Sequence, residues 1–227
     1  MSAVEQTGRT RFRNRAEAGR TLARMLSHYA DRDDVVVLGL PRGGVPVAYE
    51  VAKELGAPLG VFVVRKLGLP GHEEIAMGAV ASGGVFVLDD NLIRRLGVGN
   101  AELEQAVALE VRELERRERA YRGASEPLDL KGKTVILVDD GLATGATMKA
   151  AAIAVRQLGP AQVVVAVPVA SRQTCDEFRK EVDEIVCAIT PEPFHAVGLW
   201  YEDFSQTSDD EVRELLAAAG GDWAKSQ

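Results

Sequence analysis

Two adjacent carboxylates, Asp139 and Asp140, precede a loop of small residues that runs from Gly141 to Thr147. They follow the apolar run Val135 to Val138, which is typical of a buried strand, and the loop leads into a helical pattern. The N–H groups and dipole of a helix N-terminus bind phosphate, and carboxylates accept hydrogen bonds from sugar hydroxyls. The pattern therefore predicts a site for a sugar phosphate.

Each half of this motif has a simpler interpretation. The acidic pair could be a surface or helix-capping pair, but like charges at the end of a buried strand repel and need an external partner. Thr144 could be the N-cap of the helix and accept an N–H near Thr147. A capped helix start and an anion site share the same geometry, so both interpretations of the loop stay open.

Other segments must place this motif at one edge of a sheet. A strand at 35–40 is followed by the turn Pro41 to Gly44, and a strand at 59–64 by the loop Arg65 to Glu74. Because strands alternate with helices, we expect a mostly parallel, twisted sheet with helices on both faces. Ligands bind beyond the carboxyl ends of such strands, where these two loops and the acidic motif all fall.

The remaining pattern predicts helices at 15–29, 45–55, 101–121, 146–158 and 171–181, a hairpin at 77–88, and strands at 163–168 and 185–188. The charged helix at 101–121 could form an oligomer contact, such as that of a homodimer, or pack on its own domain. Its narrow apolar stripe favours packing on its own domain.

Composition excludes several classes of protein. The 227 residues suit one domain, and the net charge of -7 argues against a nucleic-acid partner. The longest apolar run, Val163 to Ala170, is too short to cross a membrane. Cys175 and Cys187 form no recognisable disulfide framework, so we expect a reducing compartment and a cytoplasmic protein.

The stretch from Val135 to Met148 resembles the signature of type I phosphoribosyltransferases, which use 5-phosphoribosyl-1-pyrophosphate (PRPP). The resemblance covers about residues 35–190. It implies the fold of that family in a single domain, 1–227, with a core at about 30–190. A small hood at about 190–227, together with the N-terminal helix, would complete it.

The resemblance also implies a role for each loop. Asp139 and Asp140 would bind the ribose hydroxyls. The other implied contacts are Ala143, Thr144, Gly145, Ala146 and Thr147 for the 5′-phosphate, Arg42, Gly43 and Gly44 for pyrophosphate, and Arg65 and Lys66 as catalytic cations at the start of a flexible loop that closes over PRPP.

The hood would cover the acceptor, and its best candidate is the segment from Pro191 to Phe204. Trp200 or Tyr201 could stack on a ring, and Asp203 could accept from its N–H groups. The alternative is that these aromatic residues only pack the C-terminal segment onto the core.

The reaction implied by the resemblance is transfer of the phosphoribosyl group from PRPP to a nitrogen acceptor, with release of pyrophosphate. It would depend on Mg²⁺ held mostly by PRPP oxygens, with Asp139 and Asp140 as further candidate ligands. The partners would be two small molecules, PRPP and an acceptor that the sequence does not identify. The alternative function is a regulatory protein that senses PRPP or a nucleotide without turnover.

Overall fold

The computed structural model describes residues 11–69, 72–122 and 128–225. In chain order the strands are β1 (Val35–Gly39), β2 (Leu59–Val61), β3 (Val64–Leu69), β4 (His72–Ala81), β5 (Val85–Leu88), β6 (Thr134–Val138), β7 (Gln162–Val169) and β8 (Glu184–Ile189). The helices are α1 (Arg15–Met25), α2 (Gly44–Leu55), α3 (Asp90–Leu96), α4 (Asn100–Arg122), α5 (Ala146–Gln157), α6 (Arg172–Phe178) and α7 (Asp209–Lys225).

Five strands form one parallel sheet in the order β2-β1-β6-β7-β8. Alternate residues of each inner strand face opposite sides, so their valine-rich runs are buried on both. Helices α1 and α2 cover one face, and α5 and α6 cover the other. The prediction of a mostly parallel sheet with helices on both faces is therefore confirmed.

The order of the strands reverses between β1 and β6. After β1 the chain moves outward to β2 at one edge, whereas β6 lies on the other side of β1 and leads to β7 and β8. The last pair in the β1–β6 register is Gly39 with Val138. The turn after β1 and the acidic motif after β6 thus lie side by side at a topological switch point, where open α/β sheets bind ligands.

The prediction of a loop at Arg65 to Glu74 is wrong where the structure describes that segment. Arg65 lies in β3, which pairs with β4 in an antiparallel sheet, β3-β4-β5. Alternate residues of β3, Leu67 and Leu69, are buried against α3 and α4, and this burial favours a strand. Pro70 and Gly71, which belong to the predicted loop, lie outside the described residues.

Helix α4 packs on its own chain, as its apolar stripe predicted. Leu114 and Tyr121 are buried in a cluster with residues of α2, the two sheets and α7. Helix α7 itself was not predicted. Its Val212 is fully buried in the same cluster.

The expectation of two separate thiols is wrong, because Cys175 and Cys187 form a disulfide that joins α6 to β8. The inference of a reducing compartment depended on the absence of a disulfide, so the structure does not support it. Within the described ranges, no helix has the length and apolar character that crossing a bilayer requires.

Candidate active site

The predicted acidic pair lies at the carboxyl end of β6, partly buried. The N–H of Asp140 donates to Oδ1 of Asp139 at 2.8 Å, which fixes one carboxylate against the backbone of the other. Burial, reinforced by the negative charge of Asp140, raises the pKa of Asp139 well above its ordinary value. Burial also raises the pKa of Asp140, and Arg15 opposes that rise.

The glycine turn after β1 lies directly against this pair. A Cβ on Gly43 would overlap the carboxylate of Asp140, with its Cγ at 2.8 Å. A Cβ on Gly44 would lie 2.7 Å from the carbonyl oxygen of Val138 and 3.1 Å from Oδ1 of Asp139. Only residues without a side chain permit this approach, so the structure brings the two predicted parts of the site together.

The small-residue loop after the pair ends at Gly145, which is the N-cap of α5. Gly145 has a φ of 72°, and a Cβ there would lie 2.6 Å from the ring of Phe178. The interpretation of Thr144 as the N-cap is wrong, because the cap position falls one residue later and carries no side-chain cap bond. The N-terminal N–H groups of α5 therefore face outward beside exposed Ala143, Thr144, Ala146 and Thr147.

Helix α6 stabilises this loop, a role that was not predicted from the sequence. The hydroxyl of Thr174 donates to the carbonyl oxygen of Ala143 at 3.2 Å, and Ser171 caps α6 by accepting the N–H of Thr174 at 3.0 Å. The signal that could have revealed it is the spacing of Ser171 and Thr174 directly after a strand, which is typical of a helix start.

Two of the three cations predicted to serve pyrophosphate form ion pairs with carboxylates outside the acidic motif. Arg42 lies 3.8 Å from Oδ1 of Asp209 at the start of α7. The Nε and Nη2 atoms of Arg65 lie 2.8 Å and 2.7 Å from Oε2 of Glu110 on α4. Lys66 is exposed and, as the next residue along β3, points to the opposite side of the strand.

The predicted hood contacts the site mainly through Tyr201. Its hydroxyl donates to the carbonyl oxygen of Asp140 at 2.6 Å, and burial raises its pKa. Its ring packs between Phe12 at 5.7 Å and Phe204 at 5.0 Å, measured between ring centroids. Tyr201 therefore stabilises the backbone of the acidic pair. Its ring is buried between Phe12 and Phe204 and is not exposed for stacking on a ligand.

The other two hood candidates have different surroundings. Trp200 is partly buried against the cluster that contains Phe12 and Tyr201. Asp203 is exposed, and the N–H of Ser205 donates to its carboxylate at 2.9 Å, which lowers the pKa of Asp203. Of the three, Trp200 and Asp203 keep some exposed surface.

Arg15, in the first turn of α1, is a further residue of the site that was not predicted from the sequence. Its Nε and Nη2 atoms lie 2.9 Å and 2.8 Å from Oδ2 of Asp140, so it forms an ion pair with the acidic motif. Residues 125 positions apart make this contact, and no local motif marks it.

Together, the parallel sheet, the acidic pair, the glycine turn and the helix N-terminus define an α/β protein with a candidate site at its switch point. A family model described as a phosphoribosyl transferase domain matches residues 10–201. The chain therefore belongs to the phosphoribosyl transferase domain family, and the resemblance to its type I members is confirmed.

Individual relatives agree with this assignment. Over 215 residues the chain is 46% identical to a Mycobacterium tuberculosis protein named "Putative phosphoribosyl transferase". That match covers 95% of this chain and 48% of the relative, so the chain spans about half the length of such curated relatives. It is also 34% identical over 131 residues to "Bifunctional protein PyrR" of Chloroflexus aurantiacus, with 56% of this chain and 65% of that protein covered.

A solved structure shows the same fold. The crystal structure of TT1426 from Thermus thermophilus superposes with a TM-score of 0.81 at 44% identity, over 92% of this chain and 98% of that chain. The predicted fold class is thereby confirmed along nearly the whole chain.

Proposed function

We propose that the chain is a phosphoribosyltransferase that transfers the 5-phosphoribosyl group of PRPP to a nitrogen acceptor and releases pyrophosphate. The observation that carries this proposal is the packing of Gly43 and Gly44 against Asp139 and Asp140 at the switch point. It supports a site in which a pyrophosphate-binding turn and a ribose-binding acidic pair share one ligand.

Each described loop has a place in the proposed mechanism. The carboxylates of Asp139 and Asp140 accept hydrogen bonds from the ribose hydroxyls, and the loop 143–147 holds the 5′-phosphate at the N-terminus of α5. The turn 42–44 receives the pyrophosphate group through its backbone. These contacts fix the sugar so that its C1 atom is open to the acceptor.

In the proposed reaction, a nitrogen of the acceptor forms a bond to C1 as the bond from C1 to the pyrophosphate oxygen breaks. The electron pair of the broken bond leaves with pyrophosphate, and an acceptor nitrogen that carries a proton releases it to solvent. Groups that stabilise the departing negative charge would accelerate this step. Arg42 is the first candidate for that role, because it belongs to the turn itself.

Arg65 and Lys66 are the other candidates for the leaving group. For Arg65 to reach pyrophosphate, it would exchange its ion pair with Glu110 for the ligand. Lys66 is exposed on β3 and carries the other positive charge of this strand segment.

In our proposal, a divalent ion binds this site together with its substrate. Among the described residues, no group of three or more His, Cys, Asp or Glu side chains could hold a metal ion. Asp139 and Asp140 offer hard oxygen ligands, so in our proposal PRPP oxygens supply most of the coordination of Mg²⁺. When bound, Mg²⁺ would neutralise charge on the pyrophosphate.

The second candidate function is a PRPP-sensing protein without turnover. It is favoured by the ion pairs of Arg42 with Asp209 and of Arg65 with Glu110, in which both guanidinium groups already have a partner within the chain. Trp200 and Asp203 are the proposed contacts of the acceptor in the first candidate, and a sensor would need neither.

The test uses the double variant Asp139→Asn with Asp140→Asn, titrated with PRPP in the presence of Mg²⁺ by calorimetry. We expect PRPP binding to be abolished, because amides cannot replace both charged acceptors. The matched control is Asp33→Asn with Asp34→Asn, an adjacent acidic pair at the opposite end of β1. Unchanged affinity in the first double variant would contradict the site.

A second measurement separates the two candidate functions. The wild-type chain is incubated with Mg²⁺, PRPP and a panel of nucleobases and other nitrogen acceptors, and pyrophosphate release is recorded. Release that depends on one acceptor supports the transferase and identifies its substrate. PRPP binding without release for any acceptor supports the sensor.

A further inference from the structure

The contact between Arg15 and Asp140 lies outside the signature motif, yet it reaches the centre of the candidate site. We propose that Arg15 is a positioning residue of the PRPP site, which holds the carboxylate of Asp140 in the orientation that receives the ribose. This inference rests on the proposed function, since it concerns the same ligand.

Arg15 is held on three sides. Two of its nitrogen atoms contact Oδ2 of Asp140, and Nη1 donates to the carbonyl oxygen of Ser205 at 2.7 Å. The guanidinium group also lies 4.1 Å from the centroid of the Phe204 ring, a cation–π distance. Only 12% of the Arg15 side chain is exposed, so its orientation is fixed by these partners.

The same partners also hold the backbone of Asp140. Phe204 stacks on Tyr201, whose hydroxyl donates to the carbonyl oxygen of Asp140. Asp140 is thus fixed at its side chain by Arg15 and at its main chain by Tyr201. The two supports are joined to each other through Phe204.

Arg15 contacts one carboxylate oxygen and leaves the other for a further partner. Both recorded contacts are to Oδ2, and Oδ1 of Asp140 can accept from a ribose hydroxyl without displacing Arg15. A guanidinium group also reduces the repulsion between Asp140 and the negatively charged groups of PRPP. Loss of Arg15 would free the carboxylate to rotate and leave it unpaired beside Asp139.

This arrangement explains why the N-terminal and C-terminal segments meet at the acidic pair. The N–H of Phe12 donates to the carbonyl oxygen of Trp200, and the N–H of Glu202 donates to that of Phe12, both at 2.8 Å. These two hydrogen bonds join the segment that precedes Arg15 to the segment that precedes Phe204. The hood-forming segments therefore contact the carboxylate and the backbone of Asp140 through Arg15 and Tyr201.

The test compares Arg15→Met and Arg15→Lys with the wild-type chain by calorimetric titration with PRPP and Mg²⁺. We expect Arg15→Met to weaken PRPP binding by about tenfold or more, a loss of about 1.4 kcal/mol. Arg15→Lys keeps a charge that can pair with Asp140 but lacks the planar fork, so we expect a smaller loss. If Arg15 served only to pack on Phe204, the apolar side chain of Arg15→Met would retain that packing and PRPP would bind as it does to the wild type.

The matched control is Arg20→Met, on the same helix, which removes an ion pair with Glu50 at 3.1 Å. We expect it to bind PRPP like the wild type. Equal affinity in Arg15→Met and wild type, or an equal loss in Arg20→Met, would overturn the inference. If Arg15→Met does not fold by circular dichroism, Arg15→Lys against Arg20→Met decides the question.

The wild-type titration separates this inference from the proposed function. Absence of PRPP binding in the wild type overturns the proposed function. Binding in the wild type with no change in the Arg15 variants overturns only the role of Arg15.

Discussion

At the scale of single residues, the site depends on how closely backbone and carboxylate approach each other. Gly43 and Gly44 have no side chain to separate the turn after β1 from the acidic pair after β6. Both positions have space for hydrogen only. The glycines are therefore part of the geometry of the candidate site and do more than end a strand.

The first prediction concerns Gly43→Ala. Its new methyl group would overlap the Asp140 carboxylate, and forcing extra volume into a packed site typically costs about 1–3 kcal/mol. We expect the Kd for PRPP to rise by about tenfold or more, measured by calorimetry. The control is Gly99→Ala, where the nearest atom to a new Cβ is Glu102 Oε2 at 3.6 Å. An unchanged Kd in Gly43→Ala would show that the turn does not approach the bound ligand.

At the scale of elements, the predicted phosphate-binding loop, 143–147, is shaped by a helix that follows it in sequence. Helix α6 supplies Thr174, which binds the carbonyl oxygen of Ala143, and Phe178, which fills the space beside Gly145. The loop after β6 is also tied to β7, since the N–H of Leu142 donates to the carbonyl oxygen of Val169 at 2.9 Å. The predicted anion site is therefore built by two neighbouring βα units.

The second prediction concerns Thr174→Val, which keeps the shape of the side chain and removes its hydroxyl. A hydrogen bond of this kind contributes about 1 kcal/mol, so we expect PRPP to bind about fivefold more weakly. Thr21→Val is the control, because it removes a hydroxyl that donates to the carbonyl oxygen of Glu17 at 3.0 Å on α1. Equal affinity in the two variants would contradict a supporting role for α6.

The elements nearest the motif could be predicted from the sequence, and the more distant contacts could not. Strands β1, β6 and β7 contain continuous apolar runs, and α5 begins at Ala146, where the helical pattern predicted it. The prediction of a loop at 65–69 is wrong because Gly68 and Pro70 are typical of loops, whereas Leu67 and Leu69 alternate as in a strand. Arg15 could not be found, since its partner lies 125 residues away and ion-pair partners leave no periodic pattern.

At the scale of the whole molecule, the candidate site reduces the stability of the fold at neutral pH. Burial beside a like charge raises the pKa of Asp139, so its charged form is disfavoured in the folded chain relative to the unfolded one. The folded state then holds a proton that the unfolded state has already released. The stability that Asp139 contributes is fully present at low pH and is lost as the pH rises through its folded pKa.

The last prediction follows from the direction of this pKa shift. Asp139→Asn removes the charge at every pH while keeping an oxygen that can accept the N–H of Asp140, so we expect it to unfold at a higher temperature than the wild type at pH 7. Each kcal/mol gained raises the Tm of a chain of this size by about 2–4 °C. The difference should shrink as the pH falls toward 3, where wild-type Asp139 is largely protonated in the unfolded state as well. The measurement is thermal unfolding from pH 3 to 8 without divalent ions.

A second carboxylate provides a control of opposite sign. The hydrogen bond from Arg32 lowers the pKa of Asp34, so the stability from Asp34 is present at neutral pH and is lost as the pH falls through its folded pKa. Asp34→Asn should therefore lower the Tm at pH 7, and its effect should disappear in acid. If Asp139→Asn instead lowered the Tm at pH 7, the acidic pair would be stabilising in the free protein, and the cost that we assign to the site would be wrong. A gain in Tm together with a loss of PRPP binding would show that these carboxylates serve the ligand at the expense of the fold.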